Sequence, residues 1–513
     1  MDTKNSKMQY SIAIVIIMLL SAGFVYYFSG TTSPVIPDYY GDDSAVFQVV
    51  GKAWTNGKIP YIQAFDHKGP FIFFVEALGY LIGNYGVLLM QWLFMSANFF
   101  GIFKIARLFL RYSSAMLATI ASFLILIPSY SFGNYTEEYS LVFITFSIYL
   151  GVKYLLQVNW KKKETLLHPW KYAVWYGIAF TAILFMRVTS AIAIVCLVFV
   201  ILCILLRFGI WKNLLENMGG FLFGVAIVFV PFSLYFLIKG AWHDMMYGTI
   251  IHNIMYASRS SIFMQTGAPW KSVLIALFTT GLLLVVSILY WIYERKNNWI
   301  LGAYGTFLSI VTLGLFFSIN RYLHYYLISV PYFVLEVGMI AKMRVCAKDK
   351  LYKKVLLFCC YFLLIVQAAL GIERWKRQEY SNDIFRGYAK SYKSCEEQLM
   401  AHIPAKEKDD FLAFGSNALS QWYLLADVDP SYRFCFAQSW MASCSDKLKT
   451  EISEYLNDKP AKWIVVDVDY DTEEMETEYC AEFADIIQKR YALIDTAKMK
   501  DNHICFQLYR FVE

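Results

Sequence analysis

Apolar runs of about 16–22 residues recur from Tyr10 to about Gly371. Inside a bilayer the backbone can bond only to itself, so each such run has to fold as a helix. The runs suited to spanning lie roughly at 10–28, 86–106, 113–131, 139–157, 171–186, 189–206, 217–238, 272–293, 299–318, 323–341 and 354–371, about eleven in all. Across 513 residues the composition is 58% hydrophobic and only 17% charged, which places the chain among polytopic α-helical membrane proteins. The first run is as long as a span and lacks a small-residue cleavage site, so it predicts a retained first helix rather than a removed signal.

One apolar segment decides the sidedness of all that follows. Pro70 to Asn84 is short, opens with Gly-Pro, carries Glu76 and is broken by Gly79 and Gly83. Lys and Arg accumulate on the cytoplasmic side of short loops. If 70–84 lies at the interface, the clusters Lys104/Arg107/Arg111, Lys161/Lys162/Lys163, Arg207/Lys212, Arg295/Lys296 and Lys342 to Lys354 all fall inside; if it spans, all fall outside. The rule therefore predicts an interfacial or re-entrant helix, a cytoplasmic N-terminus and an outer tail, with Arg374/Lys376/Arg377 as a local exception. The net charge of +6 is this topology signal, and no nucleic-acid partner is implied.

With that topology the polar residues hardest to explain by solvation gather outside: Asp38, Asp42, Asp43, Asp66, His67, Lys68, Glu137, Glu138, Arg187, Arg321 and His324. They come from the first outer loop, 29–85, and from the outer ends of several helices, as expected for a cavity at the membrane face. Each also has a plainer reading. "GDDSAVF" is a solvated turn or a carboxylate pair able to supply a general base. "FDHKGP" starts a helix beside headgroups, or sets Lys68 and His67 against a phosphate at a helix N-terminus. Glu137 and Glu138 complement a helix start, or contact a sugar hydroxyl or metal. Arg187 marks a hairpin or reaches a cavity, and His324 belongs to an aromatic interfacial belt or to the site.

Other patterns lead nowhere. "GKAWTNGK" has the wrong glycine spacing for a phosphate loop, and there is no HExxH, GxSxG or GxGxxG. The cysteines show no CxxC spacing, and the odd number in the tail (Cys395, Cys435, Cys444, Cys480, Cys505) leaves pairing open. From about Tyr380 the chain turns charged and alternates helical stretches with β-rich runs at 411–415, 462–469 and 504–510, which predicts a C-terminal soluble α/β domain outside the membrane, residues 372–513, after a membrane domain 1–371. The acids that end "KWIVVDVD" read as the solvated finish of a buried strand.

At "DSAVFQVVGKAWTNGKIPYIQAFDHKGP" the sequence resembles the GT-C superfamily of membrane glycosyltransferases, in particular its bacterial ArnT-like and protein mannosyltransferase-like branch. Asp43 with Phe47, then Gly57, Pro60 and Tyr61, then Lys68, Gly69 and Pro70 match in order, and "TEEYSL", "RYLHYYL" and the polar tail are similar to later features of those proteins. The resemblance implies transfer of a sugar from a polyprenyl-phosphate-linked donor to a lipid, glycan or protein acceptor, with inversion, at the outer face of a bacterial cytoplasmic membrane. It implies Asp43 as general base, and Lys68 and Arg187, with Arg321, His324 and His67, as donor-phosphate contacts. Asp66, Glu137 and Glu138 would bind substrate or a divalent metal; no cofactor is otherwise implied. The usual Asp-Glu pair is here Asp42-Asp43, which leaves Asp42 a second candidate base. A lipid-linked-oligosaccharide flippase, or a surface-polysaccharide polymerase or ligase, remains the alternative.

Overall fold

A computed structural model describes residues 3–259, 270–294, 298–318, 322–346, 351–430, 432–436, 439–475 and 481–512. In chain order the helices are α1 (Thr3–Phe28), α2 (Asp43–Thr55), α3 (Pro70–Ile82), α4 (Gly86–Ala106), α5 (Tyr112–Tyr130), α6 (Thr136–Leu155), α7 (Trp170–Leu184), α8 (Ile192–Arg207), α9 (Trp211–Ile238), α10 (Trp242–Met246) and α11 (His252–Arg259). They continue as α12 (Trp270–Ala276), α13 (Leu282–Tyr293), α14 (Trp299–Ser318), α15 (Val330–Cys346), α16 (Leu351–Lys376), α17 (Gln378–Met400), α18 (Gln421–Leu425), α19 (Ser439–Ser443), α20 (Asp446–Asp458) and α21 (Ala481–Arg490).

Among the described residues nine helices are long and apolar enough to cross a membrane, from Met8–Phe28 to Lys354–Lys376. Their outer flanks suit lipid rather than water: on α9, Leu222, Phe223 and Leu237 are each at least 60% exposed. The chain is thus mainly helical, with apolar helices of the length and composition of a multi-pass membrane protein, and has a small C-terminal sheet. Two of the expected spans are not among the nine. α7 has 15 residues, which gives about 22 Å against a hydrocarbon core of about 30 Å. α6 has the length, at 20 residues, but carries Glu137, Glu138 and Lys153 besides Thr136, Ser140, Thr145 and Ser147. α3, at 13 residues and about 20 Å, is also shorter than the core.

Contacts divide the chain into two compact units. The first holds Met1–Phe28, Gln91–Phe232 and Ile262–Glu379. Its interior joins helices through rings and buried polar pairs: Phe99 stacks on Phe123 with centroids 3.5 Å apart, and Thr145 Oγ1 donates to Asn98 Oδ1 at 2.6 Å.

The second unit holds Ser29–Met90, Ser233–Ser261 and Tyr380–Glu513, so the first loop packs with the polar tail despite some 300 intervening residues. α2 and α3 meet at Gly51, where an added Cβ would collide with the Glu76 side chain and lie 3.0 Å from Ala77 N. One turn of α2 reaches both ends of α3: Phe47 lies 6.4 Å from Phe73, and Tyr80 donates to Gln48 Oε1 at 3.1 Å. Phe47, Val50 and Phe73 are at most 2% exposed, and each contributes about 1.5–3 kcal/mol by leaving water.

The tail of this unit builds one sheet from β1 (Phe411–Phe414), β2 (Trp463–Val468), β3 (Tyr491–Met499) and β4 (Ile504–Phe511), in the order β1-β2-β4-β3. β2 runs parallel to β1, with Phe411 opposite Trp463, and antiparallel to β4, with Trp463 opposite Arg510. The parallel pair needs a crossover, supplied by α18 to α20. α17 covers the sheet with a stripe of Ala389, Tyr392, Cys395 and Leu399, and Tyr392 packs 5.1 Å from Phe506.

Candidate functional site

The residues singled out in the sequence fall into two groups, one in each unit. Asp42, Asp43, Asp66, His67 and Lys68 belong to the second unit, and Glu137, Glu138, Arg187 and His324 to the first; Arg321 lies outside the described residues.

In the second unit the chain reaches Asp42 through a tight turn. Asp38 and Gly41 hold left-handed backbone, at φ 60° and 70°, and Gly41 lies so close to Thr31 that a Cβ would come 2.8 Å from Thr31 Cγ2. Asp42 then precedes α2 without capping it by a side-chain hydrogen bond, and Asp43 is its first residue. The half-buried Asp43 carboxylate thus sits at the positive end of a helix dipole. Asp42 keeps accessible surface but is crowded by protein, which describes a recess. That low-polarity setting, with the Asp43 charge adding, pushes its carboxyl up to about 6.

Asp66, His67 and Lys68 close on themselves just before α3. The Lys68 backbone N–H donates to Asp66 Oδ1 at 2.8 Å, and Lys68 Nζ lies 2.9 Å from His67 Nε2. With the ammonium donating to Nε2, the ring proton falls on Nδ1, which faces Asp66 Oδ2 at 3.3 Å. Burial would raise the Asp66 carboxyl, but His67 and Lys68 outweigh it and hold it down to about 2. Tyr61 Oη donates to the Lys68 carbonyl at 2.8 Å, and Asn253 Nδ2 to the His67 carbonyl at 2.6 Å, so the tripeptide is fixed from outside as well. Its product is an ammonium in a set place, beside a helix N-terminus, with protons to spare for an anion.

His252, the first residue of α11, escaped sequence reasoning. Its ring lies 5.8 Å from that of His67, and burial, with His67 adding, pushes it down to about 4, so it is neutral at pH 7. "GTIIHNIM" carries no spacing that marks a site, and only the fold brings this histidine to His67.

In the first unit Glu137 forms an ion pair with Arg187 and accepts from Thr136 Oγ1 at 3.0 Å. The Arg187 guanidinium lies 3.3 Å from the centre of the Tyr325 ring, and His324 stacks on Tyr135 at 4.0 Å and 7°. Glu138 accepts from Tyr130 Oη at 2.7 Å, Gln91 Nε2 at 3.0 Å and Asn134 N at 2.7 Å, so it ties the start of α6 to α5 and α4. Its oxygens are already supplied with donors, which is how a buried carboxylate is held in a frame.

One more carboxyl was passed over: Glu336, in the middle of "YFVLEVGMI". It is fully buried on α15, and among the described residues neither of its oxygens has a hydrogen-bond partner. Among the described residues no group of three or more His, Cys, Asp or Glu side chains is placed to hold a metal ion. Compared with protein-family models and with curated proteins, the chain finds no match.

Proposed function

We propose that the chain is a membrane glycosyltransferase that moves a sugar from a polyprenyl-phosphate-linked donor onto a hydroxyl of a lipid, glycan or protein acceptor. One observation carries the reading: a carboxylate pair and a locked ammonium stand at the N-terminal ends of two helices packed together in one unit. Asp43 takes the proton of the acceptor hydroxyl. The freed oxygen pair attacks the anomeric carbon, the bond from that carbon to the phosphate oxygen breaks, and polyprenyl phosphate leaves with the electron pair. Lys68 and the start of α3 stabilise the charge that grows on the leaving phosphate. On this reading the N-terminus and the Lys161–Lys163 loop face the cytoplasm, residues 380–513 face outward, and α6 and α7 complete about eleven passes.

An ionised Asp42 next to Asp43 favours uptake of a proton by that base, so activity rises with pH through about 6, where Asp42 loses its own proton, and levels off above. Transfer is measured in membranes supplied with polyprenyl-phosphate sugar. Asp43→Asn is expected to lower kcat by about 10²–10⁴-fold. Asp42→Asn is expected to keep part of the rate and to lose the limb near pH 6. Full activity of a folded Asp43→Asn protein overturns the assignment.

A further inference from the structure

The acidic turn does not hold itself. Left-handed backbone at Asp38 is strained, and such a conformation persists only where the surroundings impose it. Five contacts from residues 380–513 impose it here. Arg386 Nε donates to the Val35 carbonyl at 2.8 Å, and Lys393 Nζ pairs with the Asp38 carboxylate at 3.0 Å. The Tyr39 ring packs against Phe385 at 5.0 Å and Tyr388 at 6.0 Å. The Tyr40 N–H donates to Gln421 Oε1 at 3.0 Å, while Gln421 Nε2 donates to the Ala418 carbonyl at 3.3 Å, which fixes the orientation of that amide.

Each contact falls on residues 35–40, immediately ahead of Asp42 and Asp43. Gln421 is 1% exposed, so its amide is held in place by the fold as the acceptor for the partly buried Tyr40. Lys393 and Asp38 are more open, and their ion pair holds less firmly.

We propose that Gln421 and Arg386, both in the C-terminal domain, are positioning residues that set the recess in which the Asp42–Asp43 pair sits. The chemical meaning of that role rests on the transfer reaction proposed above, but its test does not. Asp43 on α2 acts on Asp42, and Asp42 in turn raises Tyr39 on the same turn and Tyr388 and Tyr392 on α17, where Asp467 on β2 adds to the effect on the last two. If the turn slackens, Asp42 moves away from these rings and into water.

The experiment labels full-length protein in detergent with a water-soluble carbodiimide and an amine from pH 4 to 8. Only the protonated carboxyl reacts efficiently, and fragment ions separate Asp42 from Asp43. Wild type is expected to lose half its Asp42 labelling near pH 6. In Gln421→Leu and in Arg386→Leu the midpoint is expected to fall by about one pH unit, toward the ordinary carboxylate range. Gln421→Glu keeps an acceptor for Tyr40 and should stay at or above the wild-type midpoint, and the surface change Glu454→Gln should leave it alone. Melting curves identify folded variants, with Arg386→Lys as the milder change should either leucine variant fail to fold. Unchanged midpoints in folded variants overturn the proposal. An active Asp43→Asn protein overturns the transfer reaction and leaves these midpoints where they are, so the two failures are distinct.

Discussion

A carboxylate held near 2 while buried at 4% exposure is a store of stability, and Asp66 is the residue where this can be measured. Its folded value lies below the ordinary 3.8, so the folded state gains from the ionised form. That gain is complete above about pH 4 and is lost as pH falls through about 2; the shift corresponds to about 2 kcal/mol. Asp66→Asn is expected to lower stability at pH 7 by about that energy and to converge on wild type near pH 2, read as a fall in melting temperature that closes as pH drops, by thermal unfolding in detergent. The string Asp66-His67-Lys68 was legible as a compact polar motif at a helix start. That Lys68 first donates to its own neighbour was not, because the backbone of the motif is held by Tyr61 and by Asn253, the latter 186 positions from His67. Glu137 and Glu138 make the same point. Their helix-start position was readable, but nothing in "TEEYSL" foretells that one pairs with Arg187 while the other is saturated by Tyr130, Gln91 and Asn134.

At the scale of elements, hydropathy located the helices well and told less about their lengths. The stretches at α6 and α7 show the limit: α7 has 15 residues, short of about 30 Å, and α6 has the length but carries Glu137, Glu138 and Lys153, neither of which summed apolar content registers. Strands β1, β2 and β4 were visible as runs of buried β-formers. β3 was not, since this edge strand alternates Leu493 and Ile494 with Asp495, Thr496 and Lys498 and shifts register at Leu493/Asp495. The close packing of α2 on α3 also lay beyond periodicity, because Gly51 looks like any glycine until Glu76 packs on it. Gly51→Val is expected to force the helices apart and cost about 1–3 kcal/mol, read as a fall in melting temperature, while Gly57→Ala, with open space around it, should be limited to the cost of its left-handed backbone.

For the whole molecule, the recurrence of apolar runs was enough to give a multi-pass protein, and the change of composition near Tyr380 gave the polar tail. Composition could not show that the first loop packs with that tail, because the grouping depends on pairings such as Gln421 with Tyr40 and Lys52 with Asp427, which are 381 and 375 positions apart. The proposed sidedness has a direct check. Lys162→Cys and Asp471→Cys, both at exposed positions, are labelled in intact cells with a membrane-impermeant maleimide, with the wild-type protein as background. Asp471→Cys is expected to react and Lys162→Cys only after the membrane is opened; the reverse pattern inverts the topology.

The discontinuous make-up of the second unit also bears on how the protein comes into being. Residues 29–90 leave the ribosome early, whereas the residues that clamp the acidic turn, Arg386, Lys393 and Gln421, are translated some 300 positions later. At ordinary rates of synthesis that interval is on the order of tens of seconds. Throughout it the carboxylate pair exists without its clamp, and a chain stopped before α17 carries every first-loop residue of the proposed chemistry without the contacts that shape it. Synthesis of α17 and α18 is thereby a checkpoint: the acidic turn takes its shape only after the stretch from Arg386 to Gln421 has been made.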